Sequence, residues 1–178
     1  MQKKNRSLEN VKTVTTAAML VAMSVVIGIF CKTFLNFGMG LFRITFENLP
    51  IIVSGILYGP VVGGLVGVAS DFVSYLMSGQ AYPLNLIVSI GAMMVGVISG
   101  VVSHYIVKKQ GTAQVILSAS AAHLVGSMII KPIGLYQFYG LMVLWRIPLY
   151  LVIAPLEILL LCFLFKRESF RRITNRKE

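Results

Sequence analysis

Arg43-Ile44-Thr45-Phe46-Glu47-Asn48-Leu49-Pro50-Ile51-Ile52-Val53-Ser54-Gly55-Ile56-Leu57-Tyr58-Gly59-Pro60-Val61-Val62-Gly63-Gly64 is the stretch whose reading decides the fold. From Asn48 to its end at Gly64 it carries no charged side chain. A helix drawn through Leu49–Tyr58 is therefore apolar all round, which suits burial in protein or lipid and not a soluble surface. Tyr58-Gly59-Pro60 is turn chemistry and divides the run into two.

The same alternation of apolar run and turn continues in both directions. It predicts spans at Thr13–Leu35, Arg43–Tyr58, Val61–Met77, Leu84–Val107, Ala113–Ile130 and Leu141–Phe165. The other breaks fall at Asn36–Gly40, Ser78–Pro83, Lys108–Thr112 and Lys131–Gly134, each rich in Gly, Pro, Asn or Lys. The second and third spans are short for a bilayer that takes about 20 apolar residues, so they are expected to be tilted, partly buried or joined as a re-entrant pair.

Composition agrees. Of 178 residues 57% are hydrophobic and 12% charged, half the charge of an average soluble domain, and the mean hydropathy is +0.84. These values leave too little polar surface to coat a water-soluble globule. The fold class expected is an all-α integral membrane protein of six transmembrane helices: a basic segment at 1–12, one membrane domain at 13–165 and a basic tail at 166–178. The first apolar run lacks a small-residue cleavage site after it and reads as a retained span. Cys31 and Cys162 lie in apolar runs without CxxC spacing and read as small hydrophobes.

The net charge of +10 would suggest nucleic acid in a soluble protein, but its placement does not. Lys3, Lys4, Arg6 and Lys12 precede the first span; Lys166, Arg167, Arg171, Arg172, Arg176 and Lys177 follow the last. With Lys108 and Lys109 they put twelve of the sixteen Lys and Arg on one side, against Lys32, Arg43, Lys131 and Arg146 on the other. The positive-inside rule then places both termini in the cytoplasm and loops one, three and five outside, with the basic clusters against lipid headgroups.

Ionisable residues within spans are expensive and mark a site or a structural pair. Arg43 and Glu47 are four apart and would pair on a helix; a binding role for either fits the sequence equally well. Asp71 follows the Gly-rich Gly63–Gly67 stretch and is expected to form a structural bridge to a cation of a neighbouring helix. Lys131, Trp145 and Arg146 stand at the expected outward end of the last two spans among Tyr136, Phe138 and Tyr139. Two cations beside aromatic rings suit a flat, anionic ligand; they equally suit an interfacial belt with snorkelling cations. Tyr82 and Asn85 in loop three offer a ring and an amide to a heterocycle, although Asn85 is first a cap for the fourth span. Ala17, Ala18 and Ala22 put small side chains on the cytoplasmic half of the first span, a face for close helix contact. There is no GxSxG, Walker A or HExxH spacing, so ATP, if used, is hydrolysed by another subunit.

The Arg43…Leu49-Pro50…Tyr58-Gly59-Pro60…Gly63-Gly64…Asp71 pattern resembles the substrate-binding S components of energy-coupling-factor (ECF) transporters. Gly79–Pro83, Trp145-Arg146-Ile147-Pro148 and Pro155-Leu156-Glu157 are most similar to the folate-type branch. The resemblance covers essentially the whole chain. It implies an S-component-like six-helix bundle in a bacterial plasma membrane that binds a vitamin, folate first, from outside. It implies no cofactor in this chain, and as partners a transmembrane coupling subunit and two ATPases. The ligand residues it suggests are Trp145, Arg146, Lys131, Tyr82, Asn85, Phe46, Tyr136, Tyr139 and Arg43, and the coupling face is Ala18 and Ala22 with Ala17 adjoining. Other ligands in the same class (hydroxymethylpyrimidine or thiamine, pantothenate, riboflavin) stay open, as do a membrane scaffold and an intramembrane enzyme using His104, His123, Asp71 or Glu157.

Overall fold

The computed structural model describes residues 2–37, 42–43, 45–77, 85–107 and 111–166. Helix α1 (Gln2–Phe34) leads into a small antiparallel hairpin, β1 (Asn36–Phe37) on β2 (Phe42–Arg43), with Asn36 opposite Arg43 and Phe37 opposite Phe42. Then come α2 (Asn48–Tyr58), α3 (Pro60–Met77) and α4 (Leu86–Val101), the last ending in a π turn at Val102–Ile106. Helix α5 (Thr112–Ala122) runs through a second π segment (His123–Ile130) into α6 (Lys131–Tyr139). A 3₁₀ turn (Gly140–Trp145) delivers the chain to α7 (Arg146–Lys166).

Five of these helical runs are long and apolar enough to cross a membrane: Val11–Phe34, Pro60–Met77, Leu86–Ile106, Thr112–Tyr136 and Pro148–Lys166. Helix α2 is the sixth apolar helix. Its 11 residues reach roughly 16 Å at 1.5 Å per residue, about half of a ~30 Å hydrocarbon core. Its environment explains how so short a helix is tolerated. Pro50 to Leu57 are all buried, so α2 is enclosed by protein and need not match the lipid.

The apolar pattern is inverted relative to a soluble protein. Met19, Met23, Val26, Phe30, Val61, Leu65, Leu151, Leu159 and Phe163 are all exposed, a lipid-facing coat. With lipid on the outside, helix association depends on close packing. Helices α2, α3 and α4 supply it with glycine. A Cβ on Gly63 would run into the Gly96 carbonyl, one on Gly96 into the Gly63 carbonyl, and one on Gly55 into Ser99 Oγ. Gly59, between α2 and α3, has φ of +92°, a conformation that glycine alone adopts without strain. The turn and Gly-rich readings of the 58–67 stretch are thus realised as a tight three-helix junction.

Three expectations need correction. The second span does not begin at Arg43: Arg43 lies on β2, and the helix starts at Asn48. Arg43 and Glu47 therefore lack the i,i+4 geometry of a helical pair. Lys131–Gly134 is not a break, because the chain continues helically from Thr112 to Tyr136. Pro132 sits at the start of α6, where the amide it lacks falls in the widened π turn ahead of it, so the ring is accommodated without ending the run. In consequence the fifth connection is Gly140–Trp145, and the last helix begins at Arg146 instead of Leu141.

Candidate functional site

At one end of the bundle, polar side chains converge that a lipid-embedded core would otherwise exclude. Lys131, 5% exposed, donates from Nζ to Asn48 Oδ1 at 2.8 Å and stands 3.7 Å from Glu47 Oε1. Asn48, fully buried, donates onward from Nδ2 to Ser127 Oγ at 3.3 Å. Ser24 of α1 donates to the Glu47 carbonyl at 2.6 Å. One network thus ties α1, the start of α2, the π segment and the start of α6. The sequence pattern places these groups here: Glu47 and Asn48 open α2, and the π segment carries Ser127 and delivers Lys131.

Two further contacts finish this end. Asn85 caps α4, accepting from the Ile87 and Val88 amides at 3.0 and 3.4 Å, and its Nδ2 donates to the Gly134 carbonyl at 2.6 Å. The capping role expected for Asn85 is present, and the same amide also holds α6 against α4. Asp71 accepts a short hydrogen bond from Ser89 Oγ of α4. The expected partner of Asp71 is a cation of a neighbouring helix; among the described residues its contact with α4 is to a hydroxyl instead.

A second polar pair lies deeper. His123 Nε2 is 2.8 Å from Glu157 Oε2, off the line of a ring N–H bond, and the two residues are 2% and 0% exposed. At the opposite end His104 Nε2 is 3.1 Å from the Ile56 carbonyl, where it satisfies a terminal carbonyl of α2. Gln114 of α5 donates to both the carbonyl and the Oγ of Ser103 at 2.8 Å. Both histidines are thus engaged in packing contacts, and among the described residues no three His, Cys, Asp or Glu are grouped to hold a metal ion.

The residues singled out from sequence separate accordingly. Lys131 and Asn85 are in or beside the network, and Phe46, half-buried, directly precedes Glu47. Trp145 ends the 3₁₀ turn and Arg146 opens α7, while Tyr139 closes α6. Tyr136 is 55% exposed on α6. Arg43 is on the hairpin, and Tyr82 lies outside the described residues. On α1, Ala17 is half-buried and Ala18 and Ala22 are exposed, in a surface shared with Met19, Met23 and Val26. Asn48 and Ser127 are the members that sequence reasoning missed, and Glu47, singled out beside Arg43, has Lys131 as a neighbour that spacing did not reveal. The signal available was an acid and an amide placed side by side directly before a wholly apolar helix.

Comparison with known proteins matches this architecture. The family profile described as "ECF transporter, substrate-specific component" matches residues 12–166. Among solved structures, a crystal structure of FolT bound with folic acid superposes with a TM-score of 0.68 at 22% identity, covering 88% of this chain and 95% of that one. A curated relative, the uncharacterized MG098 homolog of Mycoplasma pneumoniae, is 29% identical over 111 residues. That match takes in 58% of this chain and spans 23% of the relative's length.

Proposed function

This chain belongs to the family of ECF transporter substrate-specific components, transport subunits that bind substrate and not enzymes, and from that premise we propose that it captures folate at the outer face of a bacterial plasma membrane. The observation that carries the choice of vitamin is the likeness in fold, over nearly the whole of both chains, to a FolT holding folic acid. The chemistry of the loop end supports it. Trp145, Arg146 and Tyr139 fall at the junction of α6 and α7, where a ring system and carboxylates can be stacked and paired.

Both termini lie in the cytoplasm in this reading, on the weight of the basic clusters. ATP hydrolysis belongs to two partner ATPases, and a transmembrane coupling subunit docks on the Ala18 and Ala22 face of α1. Small side chains there let a partner helix approach closely and part again, which interlocked large ones would resist. Docking tips the subunit and delivers folate inward.

The test is a paired assay on one substitution. Ala22→Trp in the full chain, co-expressed with a coupling module, is expected to abolish folate uptake while the purified variant keeps wild-type folate affinity. Because Ala22 is exposed, the substitution is expected to alter stability by no more than about 0.5 kcal/mol. Undiminished uptake would remove the docking face, and lost binding would show that α1 serves the pocket instead.

A further inference from the structure

His123 and Glu157 are titratable groups sealed in the membrane core that neither ligand capture nor docking employs. Both are buried, and among the described residues none of their four side-chain nitrogen and oxygen atoms has a hydrogen-bond partner. Nε2 and Oε2 nevertheless face each other at 2.8 Å, where two bare lone pairs would repel, so a proton lies on one of them. With that proton alone the pair carries a charge of −1. A second proton makes it neutral, whichever atoms hold the two.

The surroundings decide how the pair responds to charge. Among the described residues, charges reach Glu157 from His123, from Lys131 of α6 and from Glu47 ahead of α2. The other elements packed on the pair offer little: α4, α5 and the 3₁₀ turn have no ionisable side chain, and α2 has only Tyr58, its last residue. On α7 itself Tyr150, a buried phenol, lies about two turns before Glu157. Lys131 and Glu47 offset one another, so the second proton on the pair settles whether this part of the core is neutral or negative. Net charge enclosed by apolar helices is expensive.

A polar file connects the pair with the ligand end. His123, Ser127 and Lys131 follow at intervals of four along one continuous helical run, and all three are buried. Asn48 links the last two, donating to Ser127 and accepting from Lys131. The carboxylates of an anionic ligand at that end therefore add to the cost of leaving the pair negative.

We propose that His123 and Glu157 form a proton-binding site that fills as an anionic ligand is captured, so that folate binding carries up to one proton into the core. This rests on the folate reading and deepens it. By reciprocity, a ligand that tightens the hold on a proton is itself held more tightly where protons are plentiful. Folate affinity then falls as pH rises through the titration of the pair, by at most about tenfold per pH unit for one proton.

The test is calorimetric titration of the purified full chain in detergent with folic acid, at steps between about pH 5 and 8, where a histidine titrates. Phosphate and imidazole buffers, which differ in ionisation enthalpy, turn proton uptake into a difference in heat. The double variant His123→Leu, Glu157→Leu is expected to bind folic acid with less proton uptake and a flatter pH profile than wild type. Protons contributed by the ligand or by His104, at the opposite end, appear equally in both proteins. His123→Gln, with an amide in place of the titrating ring, makes the same comparison if the double variant does not fold. Equal uptake and equal profiles in wild type and variant overturn the proton site and leave the folate reading standing. A wild type that binds no folic acid overturns both.

Discussion

Replacing His123 and Glu157 by leucine, singly and together, should produce a strongly non-additive cycle. The two residues are 2% and 0% exposed and approach to 2.8 Å across the interface of the π segment and α7. His123→Leu strips the carboxylate of its partner inside a membrane-embedded core, and breaking a buried pair in this way costs about 3–5 kcal/mol. Glu157→Leu leaves the buried imidazole without its polar neighbour, at about 1–3 kcal/mol. The double variant leaves neither group behind and replaces both with apolar volume, a change that is often neutral or stabilising. Its stability should lie within about 1–2 kcal/mol of wild type, giving an interaction energy of about 4–5 kcal/mol from the middles of these ranges. Equilibrium unfolding of the four proteins in mixed detergent and dodecyl sulfate measures each corner. Additive single effects would refute the pairing and mean that each residue is held by other partners.

Two other outcomes follow from the same physics. Gly96→Ala places a methyl group against the Gly63 carbonyl, so α3 and α4 must separate; an overpacking loss of about 1–3 kcal/mol should appear as a lower unfolding midpoint. Arg146→Gln should weaken folate by about tenfold or more, the value of a charge-assisted hydrogen bond; unaltered affinity in a titration of the purified variant would move the ligand's carboxylates elsewhere.

Much of the fold was legible because lipid imposes a simple rule on sequence. Apolar runs mark helices, and Gly59-Pro60 marks the turn between two of them. Capping chemistry is local as well, and so Asn85 could be read at the head of α4. What stayed hidden depends on tertiary geometry. Pro132 looks like a helix stop, and only the π segment ahead of it explains why the chain runs on. That continuation moves Lys131 from a loop into the interior, 83 residues from its Asn48 partner. Arg43 and Glu47 have helical spacing, but a two-residue hairpin strand takes Arg43 out of the helix. The pairing of His123 with Glu157 also joins positions far apart in sequence, which spacing alone does not reveal.

The central claim is tested most directly by titrating the purified protein with folic acid and following quenching of Trp145, the only tryptophan, with thiamine, riboflavin and pantothenate as competitors. Saturable binding that none of the three displaces is the expected result. Binding of one of those vitamins in place of folic acid would keep the transport subunit and contradict its ligand, and binding of none of the four would contradict the account.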